Sequence, residues 1–123
     1  MKQRISVEDL TQLTPEQQEK LREWWSINQQ QGDVFICLGN DFLSGKVFAW
    51  DGHNKPFKMA VPLVSIGQCI ELINERDKCI NLNHLVIDPI KHFEWEVRLR
   101  HLDFYNNEIE LIDSLWQAVK EIL

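Results

Sequence analysis

The run Val61-Pro62-Leu63-Val64-Ser65-Ile66-Gly67-Gln68-Cys69-Ile70-Glu71-Leu72-Ile73 constrains this chain more than any other stretch. Ser65 stands where a helix N-cap belongs, and Gln68, three residues on, completes a capping box. Beyond the cap, Ile66, Cys69, Ile70, Leu72 and Ile73 are apolar, and only Gln68 and Glu71 are strongly polar before Asn74. A helix that is apolar over most of its circumference has to be buried. The pattern predicts a central helix over 65–76 with the rest of the chain packed around it.

The flanking segments supply the packing partners. Ser6-Val7-Glu8-Asp9 is a weak helix start, giving one or two turns to Gln12. Thr14-Pro15-Glu16-Gln17 is a strong one: a threonine cap, a proline at the first helical position and a glutamine at the third. That helix carries Leu21, Trp24 and Trp25 at helical spacing and ends at Gln29-Gln30-Gln31-Gly32. Residues 33–38 are apolar on both faces, the mark of a strand inside a sheet. Residues 46–50 and 57–61 read as two further strands, with the turn-rich Asp51 to Pro56 between them. The three together are expected to form an antiparallel meander. His84 to Ile87 is a short strand candidate, closed by a turn at Asp88-Pro89. From Lys91 to Leu102, Phe93, Trp95, Val97 and Leu99 alternate with Glu94, Glu96, Arg98 and Arg100, so one face goes to the core and the other to solvent. Asn106 or Asn107 is the expected cap of a last helix, whose stripe is Ile109, Ile112, Leu115, Trp116, Val119 and Ile122. Trp95, Val97 and Leu99 should pack near Ile112, Leu115 and Trp116. The expected architecture is one α+β domain over 1–123: about five antiparallel strands in a sheet, a central buried helix, and N- and C-terminal helices.

Composition narrows the function classes. With 123 residues, 44% hydrophobic and 26% charged, the chain is of ordinary globular character. Its net charge of −6 argues against duplex nucleic acid or an anionic membrane as partner, since both call for a basic face. Polar residues follow Met1-Lys2-Gln3-Arg4, so no secretory signal is expected. No apolar run approaches the roughly 18 residues of a membrane span. A cytoplasmic location is the expectation. Cys37, Cys69 and Cys79 form no C-x-x-C pair and are expected to be free thiols.

Motifs that would carry chemistry are sparse. His84, His92 and His101 lie eight and nine residues apart, whereas helical metal pairs stand three or four apart. His53 is isolated from them in sequence. A nucleophilic cysteine needs an exposed electropositive setting; Cys79 beside Lys78 has no identifiable base. No phosphate-cradling glycine loop is present. Glu94 and Glu96 share a strand face with Arg98 and Arg100, the composition of a solvated surface. No catalytic residue, metal or cofactor is expected, and the chain is read as a non-enzyme.

Two sets of residues remain as candidates. Gly39 to Gly45 brackets Phe42 and Leu43, bulky apolar residues where a loop is ordinarily polar. Either the loop folds back over the sheet or it anchors a partner or a second copy of the chain. Trp24 and Trp25 either cover the sheet or place an indole at the rim of a partner-binding patch. Trp50 and Trp95 are candidates for an aromatic pocket between sheet and helices.

Val61 to Ile73, the ending Leu115-Trp116-Gln117-Ala118-Val119-Lys120-Glu121-Ile122-Leu123 and the start Thr14 to Trp25 resemble small uncharacterised proteins encoded by phages and prophages of Gram-positive bacteria. The resemblance covers about a third of the chain and implies a genomic setting rather than an activity. The expected function is a non-enzymatic accessory protein that binds a host protein and modulates or sequesters it, with homo-oligomerisation open. The alternatives are a small-molecule binder of nucleotide type, including one directed against host defence, or a minor enzyme.

Overall fold

The computed structural model describes residues 2–37, 46–53, 60–76, 85–90, 94–99, 104–108 and 110–123. The fold is α+β, with four helices and six strands among those residues. In chain order they are α1 (Val7–Thr11), α2 (Pro15–Asn28), β1 (Val34–Cys37), β2 (Val47–Ala49), β3 (Ala60–Pro62), α3 (Ile66–Arg76), β4 (Leu85–Ile90), β5 (Glu94–Leu99), β6 (Phe104–Glu108) and α4 (Leu111–Ile122). The strands divide into two three-stranded antiparallel sheets, ordered β2-β1-β3 and β4-β5-β6, where the sequence predicted about five strands in one. The chain divides likewise into two compact units, Ser6–Val64 and Met1–Ile5 with Ser65–Leu123.

Within Ser6–Val64, both helices start where their side chains can satisfy the first free amides. Ser6 and Asp9 form a capping box at α1, and Thr14 and Gln17 form one at α2, with Gln17 N donating to Thr14 Oγ1 at 3.1 Å. α2 ends before a tight turn in which Asp33 N donates to Gln30 O at 3.0 Å. Gly32 sits in that turn at φ +91°, a conformation that costs any residue with a Cβ. β1 then runs down the middle of its sheet: Phe35 faces Phe48 of β2 on one side and Pro62 of β3 on the other. The expected meander would have put β2 in the middle. The double-sided apolarity of 33–38 is what a central strand needs, and Phe35, Ile36 and Cys37 are all buried. β2, an outer strand, has Val47 56% exposed. α2 packs against β3, where Arg22 Nε donates to Ala60 O at 3.3 Å and the guanidinium also pairs with Glu19.

In the other unit the capping box at Ser65 is present: Gln68 N donates to Ser65 Oγ at 3.2 Å and Ser65 N to Gln68 Oε1 at 2.9 Å. Cys69, Leu72 and Ile73 are fully buried, while Gly67, Glu71, Asn74 and Glu75 are exposed. α3 therefore buries one face rather than its whole circumference. The last helix, α4, packs on α3, β5 and β6. Its stripe is as expected at Ile112, Leu115, Trp116 and Val119, and Ser114 and Ala118 are buried with them. Ile109 and Phe93 lie outside the described residues. α4 begins later than expected. Asn106 and Asn107 belong to β6, paired with Val97 and Glu96, and the N-cap is Glu110, without a side-chain cap bond. The ladder with β5 takes those asparagine backbones before a helix can. β4 likewise continues through Asp88 and Pro89, where a turn was expected, and Pro89 pairs with Trp95. β4 is an outer strand, where a residue lacking an N–H is tolerated. Residues at the N-terminus join this unit by an isolated bridge, Arg4 with Ser65. Ile66 N donates to Gln3 O at 3.1 Å, and Lys2 Nζ reaches Asp113 at 2.9 Å.

Candidate functional site

The tryptophan pair of α2 is core. Trp24 is 2% and Trp25 1% exposed, alongside a fully buried Leu21. Neither indole lies at a rim, which corrects their assignment as partner-binding residues: helical spacing puts both on the inward face. Trp25 Nε1 donates to Asp33 Oδ2 at 2.9 Å, and the same oxygen accepts Gln30 N at 2.8 Å. A buried indole N–H needs an acceptor, and Asp33, itself only 7% exposed, is placed by the Gly32 turn to supply one. Asp33 was not singled out from the sequence. The signal was there, in a carboxylate at the mouth of an apolar strand straight after a glycine turn.

An aromatic row extends from this bond. The Trp25 and Phe35 rings lie 5.4 Å apart at 39°, and Phe35 stacks on Phe48 at 5.4 Å and 21°. Trp50, half-buried, continues β2 beyond its regular ladder, with its N donating to Asp33 O at 2.8 Å and its O accepting from Gly32 N at 2.9 Å. Trp50 belongs to the 6–64 unit. Trp95, also half-buried, belongs to the other, on β5, where its carbonyl accepts Ser114 Oγ at 3.1 Å. Val97, on the same face of β5 as Trp95, is fully buried.

No family model matches this chain, and no curated protein or solved structure is detectably similar to it. The remaining candidates are thus read from their own surroundings. Phe42 and Leu43 lie outside the described residues, as do Cys79, His84, His92 and His101. His53 is exposed, and its N donates to Asp51 Oδ1 at 2.8 Å in a local turn. Burial raises the thiol pKa values of both Cys37 and Cys69, most strongly at Cys69, the reverse of what a nucleophile needs. Among the described residues no three His, Cys, Asp or Glu side chains group as metal ligands, and no helix is long and apolar enough to cross a membrane.

Among the described residues, the large apolar side chains that face outward are Ile27, 81% exposed, and Val47. Ile27 lies two positions beyond Trp25, roughly opposite it around the helix. Glu16, Glu19 and Glu23, all exposed, precede it on α2. A helical wheel drawn from Leu21, Trp24 and Trp25 places Ile27 off the inward stripe, and that was the available signal.

Proposed function

We propose that this protein is a non-enzymatic accessory protein of phage or prophage type that binds a host protein and modulates or sequesters it. The observation that carries the reading is Ile27, an isoleucine 81% exposed on the last turn of a helix otherwise rooted in the core by Leu21, Trp24 and Trp25. Apolar side chains held out by a rigid element are what binding surfaces supply. Phe42 and Leu43 are the second contact under this reading. The decisive comparison captures partners with the parent, Ile27→Glu, and a Phe42→Ser, Leu43→Ser double variant. A partner retained by the parent and lost by Ile27→Glu at unchanged melting temperature supports the reading; equal capture by all three overturns it.

Binding of a small molecule of nucleotide type has one observation in its favour. Trp116 Nε1 is a buried donor that meets no acceptor among the described residues, and such a donor gains from a ligand oxygen. A rise in melting temperature with a nucleotide, absent in Trp116→Phe, would select this reading instead.

A further inference from the structure

We infer that β2 is a self-association edge, through which two copies of this chain pair antiparallel about Phe48. The inference is independent of the partner surface on α2. It starts from the register of the sheet. Phe48 faces Phe35 of β1, and Trp50 directs its N–H and C=O to the same side. Backbone direction alternates along a strand, so the N–H and C=O of Val47 and Ala49 point away from β1, toward the outer edge. Among the described residues no strand pairs with that side of β2, and an edge with outward amides is a template for another strand.

What selects a second copy as the occupant is the order of side chains. A two-fold axis at Phe48 places Val47 opposite Ala49 of the second copy, as a hydrogen-bonded pair, and Ala49 opposite Val47. These are the residues whose amides face outward. Both are exposed, and a large side chain meets a small one. Lys46 falls opposite Trp50 of the second copy, in the closer, non-hydrogen-bonded type of pair. Each end of the ribbon then joins a cation to an aromatic side chain. Lys46 is exposed, and residues 47–50 carry no charge to repel their own image. The axis also continues the aromatic row, since Trp25–Phe35–Phe48 reaches the outer strand at Phe48 and would meet its image there. Because the contact is short, the dimer should be concentration-dependent, in the class of small transient interfaces.

Sedimentation of the full chain over a range of concentrations tests this with three variants. Ala49→Pro deletes an outward N–H without touching the β1 ladder; it should stay monomeric at concentrations where the parent dimerises, with the parent's melting temperature in dilute solution. Lys46→Glu should weaken the dimer about tenfold, since two symmetry-related contacts are lost, and Lys46→Arg, which keeps a cation opposite the indole, should retain it. A parent that remains monomeric throughout overturns the inference. So does a folded Ala49→Pro that dimerises like the parent. If Ala49→Pro fails to fold, the Lys46 variants decide: a dimer indifferent to Lys46→Glu sinks the pairing, and loss in Lys46→Glu with retention in Lys46→Arg upholds it.

Discussion

Both units of this chain carry a three-stranded antiparallel sheet and at least one tryptophan that is essentially out of solvent, yet they treat the indole N–H in opposite ways. In the 6–64 unit, Trp25 Nε1 is bonded to Asp33 Oδ2 at 2.9 Å. In the 65–123 unit, Trp116 is just as buried, at 1% exposed, and its Nε1 has no acceptor among the described residues. The difference lies in what the neighbouring backbone can deliver. A turn with a glycine at φ +91° aims a strand-end carboxylate at Trp25. Trp116 instead sits in mid-helix, where the backbone carbonyls of its own turns serve the helix and the adjacent side chains Ile112, Leu115 and Val119 are apolar. Leaving a buried donor unmade costs more than the bond is worth when made. The same residue type is therefore an anchor in one unit and a site of latent polarity in the other.

Truncation gives the largest separation. Trp25→Ala removes a fully buried side chain and should cost about 3–5 kcal/mol of unfolding free energy. Trp95→Ala, from a half-buried site on β5, should cost clearly less, on the order of half that. Denaturant titration that ranks Trp95 above Trp25 would contradict the burial described for them.

A gentler pair isolates the polar term. Trp25→Phe leaves Asp33 with one donor fewer in a buried setting and should cost about 1–3 kcal/mol beyond the lost volume. Trp116→Phe loses no hydrogen bond and removes a buried donor that had no acceptor, so the relief of that cost should offset part or all of its volume term. Equal losses in the two variants would break the comparison, because they would mean that Trp116 finds an acceptor after all.

The alkaline limb of stability probes the buried thiol of α3. Burial raises the pKa of Cys69 far above its ordinary 9.0, so the folded chain holds the proton that the unfolded chain releases. The sign follows: this contribution is intact below about pH 9 and declines as pH rises through the range between the two pKa values. The expected slope there is roughly 1.4 kcal/mol per pH unit, and Cys69→Ala should flatten it. An unchanged slope in that variant would place the alkaline loss elsewhere.

The smallest effect belongs to the N-terminal contact. Lys2 Nζ and Asp113 Oδ1 are 2.9 Å apart but each side chain is about a third exposed. Lys2→Ala should cost about 0–1 kcal/mol, shrinking further as salt is added.

These comparisons also bear on what was readable in advance. Among the candidate residues, Trp24 and Trp25 are at the right helical positions but on the inward face, whereas the exposed Ile27 was two residues away on the same helix. Trp50 and Trp95 are half-buried, each in its own unit. The double-sided apolarity of residues 33–38 signalled a central strand correctly, while the assumption that consecutive strands lie side by side signalled the wrong neighbours.

The sequence by itself determined the helix starts at Ser6, Thr14 and Ser65, the inward stripe of α4 and the alternation on β5. Each rests on groups within about four residues of one another, close enough to interact whatever the rest of the chain does. Only the tertiary structure decided that β1 lies between β2 and β3, that Asn106 and Asn107 serve a ladder rather than a cap, and that Trp25 receives an acceptor where Trp116 meets none. Those outcomes depend on which distant backbone arrives with a free N–H, C=O or carboxylate. The local pattern of residues carries no record of that arrival.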